Sequence, residues 1–448
     1  MTTAPHDLGD QERAAAWLIA PRADGVRQAL AERGLDVSVL APGEDPAAYA
    51  GWLQAASRGF LDAERTDEQI AAARERAGHR RMTGVYDRSG PMRDVPVATI
   101  CSWIAPLSLP GGTDVPSCAI SAVTVAPTHR RRGVARTLLE GELREAAAVG
   151  VPIASLTVSE STIYGRFGFA PAAPSAAWRL DTTRASWTGP VPPGRLDYVS
   201  RAEARELLPR LHARVRRRIA GEMPVPDAVW DSMAGTRPDA KDPGAVRAVR
   251  YADQGGDAAG VALYTVKENH DDFARSSASI VYLVATSDDA YAALWRFFVE
   301  LDLVAEVRAG ELAVDEPLLW MISDQRAATI TLGDHHYVRV LDVAGVLESR
   351  RYAAPGTIAI DLDDRLGLCA GPYLLTVDPN GSARVRAGSA QDEAAVELVL
   401  GVEELSAIAL GGVSVATLAA AGRVRCSDVA VASRIFGWHV QPRLSFWY

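Results

Sequence analysis

The chain has 448 residues, 48% of them apolar, and a formal net charge of −9. That length exceeds what one hydrophobic core supports, so two or three domains are expected. The acidic balance excludes a general nucleic-acid binder, which needs a basic face. It suits a cationic or amine partner, a reading that competes with simple solubility.

The opening stretch, MTTAPHDLGDQERAAAWLIAPR, lacks a basic segment followed by a long apolar one, and no later stretch has the length of a membrane span. A soluble, cytoplasmic protein without membrane contact is expected. Cys101, Cys118, Cys369 and Cys426 form no C-x-x-C pair and have no histidine at ligand spacing, so no metal site is expected and the thiols read as reduced and buried.

In chain order, DQERAAAWLIAPRADGVRQALAERG and PAAYAGWLQAASRGFLDAERTDEQIAAARERAG carry apolar residues at three- and four-residue spacing and predict amphipathic helices. VSVL at 37–40, TGVYD at 83–87 and the run at 95–109 predict strands, followed by the β-branched CAISAVTVAP. An arginine segment, a helix to about Val149 and the strand PIASLTVS complete a strand–loop–helix–strand unit. A turn-rich passage containing Pro192 and Pro193 reads as a linker. Beyond it come a helix from about Arg201, the strand pair VRAVRYAD and GVALYTVKE, and SIVYLVATSDDAYAALWRFFVELD, a strand running into a helix. From about Thr331 the chain reads as mixed α+β, with strand pairs joined by Asp-Pro-Asn-Gly and other glycine turns, and it ends on the aromatic SFWY.

One short stretch carries the chemistry. TVAPTHRRRGVARTLL, residues 124–139, places three consecutive arginines where a helix begins, although the helix dipole disfavours cations there. A negative ligand resolves the conflict. Backbone N–H groups of the opening turn, arginine side chains and a glycine that permits close approach make a pyrophosphate cradle from Arg130, Arg131, Arg132, Gly133, Val134, Ala135 and Arg136. Val134, Leu138, Leu139 and Leu143 form the apolar stripe that docks the helix on a sheet. A solvated charge run is the competing reading.

The order of strand, R-x-x-G-x-A loop, helix and strand, followed by TIYGRFGFAPA, resembles the acetyl-CoA core of the GNAT superfamily of acetyltransferases. Together with ALWRFFVELD, PLLWMISDQRA and YVRVLDVAGVLESRRY, it is similar to the bacterial Eis (enhanced intracellular survival) acetyltransferases from about residue 50 to the end. The resemblance implies an α+β chain with three domains. These are a catalytic GNAT domain with an N-terminal extension over 1–185, a degenerate GNAT-like domain over 186–330, and a sterol-carrier-protein-like domain over 331–448. The TSDD at 286–289, where the first unit has arginines, agrees with a second unit unable to hold pyrophosphate.

The resemblance also implies an N-acetyltransferase that uses acetyl-CoA and no metal, acts on primary amines of an aminoglycoside-like or polyamine molecule, and assembles as a hexamer. Acetylation of lysine side chains in proteins or peptides, and a non-catalytic acyl-CoA or lipid sensor, are the alternatives. Carried over by residue, CoA contacts fall on Val123, Thr124 and Val125 along the strand, on Arg130 to Arg136, and on Ser159 and Glu160. The general acid falls on Tyr164 and the general base on the terminal carboxylate of Tyr448. A phenol of pKa near ~10 can protonate a thiolate of similar basicity. An ordinary core tyrosine and a simply packed terminus are the competing readings of these two positions.

The sequence also departs from the family. The first forty or so residues exceed what its members usually carry, and Ala122 stands where a larger aromatic is common, widening the slot near the thioester. Asp62 and Glu64 could attract a cation but read as exposed helix carboxylates. NHDDF at 269–273 and DHHY at 334–337 lack a third ligand at metal spacing and read as surface turns.

Overall fold

The computed structural model describes residues 9–40, 45–237, 239–240, 242–388 and 396–448, so the first eight residues of the opening stretch lie outside it. The chain forms two compact units. The first joins the residues up to Ala172 with His336–His439 and Tyr448; the second joins Ala173–His335 with Val440–Trp447.

The first unit opens with α1 (Asp10–Ile19), α2 (Asp24–Ala31) and β1 (Asp36–Leu40), followed by α3 (Pro46–Gly59) and α4 (Asp67–Arg76). Each of the two long helical runs read from sequence is thus a pair of helices. Their breaks have local causes: Pro21 ahead of α2, and the Thr66 capping box that restarts the chain at α4. Asp62 and Glu64 consequently lie in the exposed loop between α3 and α4, not on a helix, and Asp62 pairs with Arg65 at 3.3 Å. Three strands follow, β2 (Arg81–Tyr86), β3 (Ala98–Ser108) and β4 (Asp114–Val125), then α5 (Val134–Ala148), β5 (Ile153–Thr157) and the single turn α6 (Ser161–Tyr164). β1 to β4 are antiparallel neighbours in chain order, and β4 pairs β5 in parallel.

The predicted stripe of α5 is the centre of the core: Val134, Leu138, Leu139 and Leu143 are buried against Cys118, Ile120, Ala154 and Leu156 of the sheet. The N-terminal extension shares that core through Trp17, Val26, Leu30 and Leu35. It is also tied to α5 by charge. Arg22, 1% exposed at its side chain, pairs with Glu142 and lies 3.3 Å from Glu145; Arg81 reaches Glu145 at 2.8 Å and Glu142 at 3.6 Å. Trp17 Nε1 donates to Ser102 Oγ at 2.9 Å, and Ser102 donates to Glu142. Burial alone would push the Glu142 carboxyl up, but the two guanidinium groups outweigh it and hold its pKa below the usual range.

The second unit takes in most of β6 (Ala170–Asp181), then β7 (Arg195–Val199), α7 (Arg201–Val215), α8 (Asp227–Met233), β8 (Arg247–Ala252), β9 (Ala258–Lys267), β10 (Ser276–Ala285), α9 (Asp288–Val299) and β11 (Val304–Leu312). β7 to β10 are antiparallel in sequence order, β10 pairs β11 in parallel, and β11 pairs β6. The parallel pair and its connecting helix repeat the β4–α5–β5 arrangement. The helix start differs: Ser287 accepts a hydrogen bond from Ala290 N, and Asp288 and Asp289 follow in the first turn. That terminus is already capped by its own chain and repels an anion.

β12 (Ala328–Val340) runs across residue 330, and its last part, His336–Val340, pairs antiparallel with β5 in the first unit. The rest of that unit comprises α10 (Val343–Leu347), β13 (Gly356–Asp363), β14 (Gly371–Val377), β15 (Ala383–Ala387), β16 (Val396–Gly401), α11 (Val402–Ile408), α12 (Val415–Ala420), β17 (Arg425–Cys426) and α13 (Val429–Phe436). Its five strands form one sheet in the order β15-β14-β13-β16-β17. Fully buried Arg350 closes off helix ends here, donating to the carbonyls of Ile408 at 3.0 Å, Ala409 at 2.8 Å and Phe436 at 2.6 Å. Cys101, Cys118 and Cys369 are buried and Cys426 is half-buried, all as free thiols. Among the described residues no helix is long and apolar enough to cross a membrane, and no cluster of metal-ligating side chains occurs.

Candidate active site

Two features of β4 open the site. Pairing with β5 stops at Ile120 and Leu156, while β4 continues to Val125, so the edge carrying Val123, Thr124 and Val125 is free of a strand partner on the β5 side. Opposite the single residue Ile100, β4 has two, Ala122 and Val123, and Ala122 has φ of 51°. This is a β-bulge at a residue type that seldom adopts positive φ. Thr99 Oγ1 donates to Ala122 O at 2.8 Å and lies 2.7 Å from Thr124 Oγ1, which pins the bulge. On the other side α3 approaches closely: a Cβ on Gly59 would lie 2.4 Å from Thr124 Cβ.

β4 then leads into the arginine loop. Gly133, at φ of 77°, precedes α5, and no side chain caps the helix's first turn. Arg130, Arg131, Arg132 and Arg136 are exposed, and among the described residues only Arg136 has an acidic neighbour, Glu140 at 3.9 Å. Val134 turns its side chain into the core and leaves its N–H at the helix start; Ala135 is half-buried. Uncapped amides, three arginines without an acidic partner among the described residues and a missing Cβ fit a diphosphate.

Past the end of β5, Ser159 and Glu160 are exposed and Tyr164 is 9% exposed, its ring edge-on to Phe169 with centroids 6.2 Å apart. Its hydroxyl has no hydrogen-bond partner among the described residues, which sets it apart from a satisfied core tyrosine. Burial, with a smaller contribution from Glu160, raises its pKa. The turn behind it is clamped. Gly168 has φ of 90°; Arg339 Nε donates to Phe167 O at 3.3 Å, and Ser406 Oγ donates to Gly168 O at 3.3 Å while accepting from Val340 N at 3.1 Å. Arg339 in turn donates from Nη2 to both carboxylate oxygens of Asp364, at 2.7 and 2.8 Å.

Tyr448 lies on β5. Its main-chain oxygen accepts from Thr157 Oγ1 at 2.8 Å, and its phenol donates to Ser155 Oγ at 2.8 Å. His336 Nε2 lies 3.1 Å from the same phenolic oxygen, and Trp103 packs edge-on with centroids 5.2 Å apart. Burial pushes that phenol's pKa well up, so it serves as an anchor.

The reading of DHHY as a surface turn is therefore corrected. His335 and His336 are fully buried in β12 because each accounts for a polar group of the tail: His335 Nε2 meets Phe446 O at 3.1 Å, and His336 meets Tyr448. The only sequence signal was two adjacent histidines in a β-branched run, which does not show what they face. Thr157, Ser155, Arg339 and Ser406 carried no signal. NHDDF does lie in an exposed loop between β9 and β10.

The fold and this site define an acetyltransferase of the GNAT class. GNAT acetyltransferase domain models match residues 44–172 and 221–340, and a sterol carrier protein domain model matches 343–445. An uncharacterized N-acetyltransferase of Streptomyces avermitilis is 35% identical over 410 residues, 89% of this chain and 94% of that one. N-acetyltransferase Eis of Mycobacterium tuberculosis is 32% identical over 361 residues, 78% of this chain and 84% of that one. The crystal structure of Eis1 from Mycobacterium abscessus shares the fold, with a TM-score of 0.77 at 24% identity over 92% of this chain and 100% of that one. The chain belongs to the Eis-like N-acetyltransferases, and its α+β fold of two GNAT domains and a sterol-carrier-like domain is the one expected from the sequence.

Proposed function

We propose that the chain moves the acetyl group of acetyl-CoA to a primary amine of an aminoglycoside-like or polyamine molecule. Acetyl-CoA, when bound, supplies an acyl group activated as a thioester. In this reading Val123, Thr124 and Val125 offer main-chain groups to its extended arm, and Arg130, Arg131, Arg132 and Arg136 with the N–H groups of Gly133, Val134 and Ala135 hold its diphosphate. Ser159 and Glu160 flank the far side. Tyr164 donates a proton to the departing sulfur; a raised pKa keeps the phenol in its acid form at neutral pH. The main-chain carboxyl group of Tyr448 takes the proton that the attacking amine gives up.

One observation carries this reading. Thr157, the last residue of the strand that leads into Tyr164, holds Tyr448 by its main-chain oxygen at 2.8 Å, beside the edge where β4 parts from β5. A base and an acid on the same short segment, next to an open strand edge, suit acyl transfer from an extended thioester to an amine.

Calorimetry with acetyl-CoA, followed by a thiol-release assay over kanamycin-like, polyamine and lysine-peptide amines, tests it. Binding at micromolar donor with turnover of the small amines is expected. Turnover confined to lysine peptides would overturn the small-molecule assignment, and binding without thiol release would favour a sensor. We infer also that the protein assembles as a hexamer, on family resemblance alone; light scattering on the eluted protein checks this.

A further inference from the structure

The N-terminal extension lies ahead of the matched acetyltransferase domain, yet it ends against the diphosphate loop. α2 closes with Leu35 N on Leu30 O at 3.1 Å and Gly34 at φ of 71°, and Leu35 is buried. That geometry is a Schellman cap, which fixes the backbone at Arg33. Arg33 then turns back along the helix, with Nη1 on Ala29 O, and presents the other side of its guanidinium to Gly133. A Cβ on Gly133 would lie 3.4 Å from Arg33 Nη2, 3.8 Å from Nε and 3.9 Å from Cζ.

Arg33 is exposed and has no acidic partner among the described residues. It stands beside an uncapped helix N-terminus whose loop already carries Arg130, Arg131 and Arg132. Like charges gathered on a positive helix end repel one another unless an anion joins them. The extension is held on α5 by the buried Arg22–Glu142 pair and by Ala23 N on Glu145 at 2.9 Å, so Arg33 is carried on an anchored element. Gly141 shows how close α2 and α5 come: a Cβ there would lie 2.4 Å from Val26 Cγ2.

We propose that Arg33 is a donor-binding residue, contributing a guanidinium from outside the acetyltransferase domain to a phosphate group of acetyl-CoA. The assignment rests on the reading above that the donor docks at Gly133.

Calorimetric titration of acetyl-CoA into the full chain and its Arg33→Ala variant is the test, with S-acetylpantetheine, which has no phosphate, as a second donor in the thiol-release assay. Arg33→Ala is expected to weaken acetyl-CoA binding about fivefold, with kcat at saturation unchanged. Arg33→Lys should recover part of the loss and Arg33→Glu deepen it, while Arg27→Ala on the exposed face of α2 should bind as the unaltered chain does. Turnover with S-acetylpantetheine should be equal in all of them. Equal acetyl-CoA affinity in Arg33→Ala, or an equal loss with the phosphate-free donor, would overturn the assignment while leaving the donor site intact. Failure of the unaltered chain to bind acetyl-CoA would remove the donor site and Arg33's role together.

Discussion

Thr157 Oγ1 donates to the main-chain oxygen of Tyr448 at 2.8 Å, joining the end of β5 to the last residue of the sequence across 291 positions. Ser155, two residues earlier on the same strand face, holds the phenol of the same tyrosine at 2.8 Å. The strand therefore grips Tyr448 at both ends. If its carboxyl group is the base, loosening one grip should slow catalysis without touching the donor site. Thr157→Val should lower kcat by about fivefold, the worth of one such hydrogen bond, with KM for acetyl-CoA unchanged. Deleting Tyr448 should cost on the order of a hundredfold. Steady-state thiol release at saturating amine checks both.

Tyr164 has a buried ring and an unpartnered hydroxyl. Tyr164→Phe should leave the calorimetric affinity for acetyl-CoA as it is and lower kcat by roughly a hundredfold or more. Because burial raises the phenol's pKa, the fall in kcat expected when a general acid deprotonates should come above the ordinary phenol value of 10.0. A pH–rate profile carried into the alkaline range reads this directly.

The turn behind Tyr164 depends on the sterol-carrier-like domain. A Cβ on Gly168 would lie 2.8 Å from Val402 Cγ1 and 3.0 Å from Arg339 Nε, and its φ of 90° is strained for any other residue. Gly168→Ala should destabilise the protein by about 1–3 kcal/mol. Ser406→Ala, which strips partners from Val340 N and Gly168 O, should cost a similar ~1–3 kcal/mol. Both should lower the thermal midpoint, and both should lower kcat more than they raise KM for acetyl-CoA.

The pair beneath α5 predicts an acid limit. The pKa of Glu142 is depressed in the folded protein from its reference value of 4.5, so its contribution to stability is full above that value. The contribution is lost as pH falls through the depressed native value, because the unfolded chain takes up the proton first. Glu142→Gln leaves Arg22 buried beside one fewer carboxylate and should cost about 3 kcal/mol at neutral pH. Its melting temperature should also vary less with pH below 4.5 than that of the unaltered chain.

What could be read from the sequence was local. The arginine loop, the stripe of α5 and the IYGRFGF turn each announce themselves within a dozen residues, because helix starts, apolar faces and tight turns are encoded by neighbours. The contrast with TSDD was legible for the same reason, and Ser287 closing its own helix completes it. By itself the sequence determined the order of domains, and it marked one helix start as uncapped and arginine-rich and the other as closed by its own serine.

Only the tertiary structure decided what surrounds those groups. His335 and His336 look like a polar turn until the tail that they receive, over a hundred residues later, is folded against them. Arg33 looks like a cation at a helix C-terminus, where the dipole alone would explain it, until α2 is packed on α5. The same holds for Thr157 and Ser406. A hydrogen-bond partner distant in sequence leaves no periodicity and no motif, so these contacts exist only once burial of the shared core has brought the segments together.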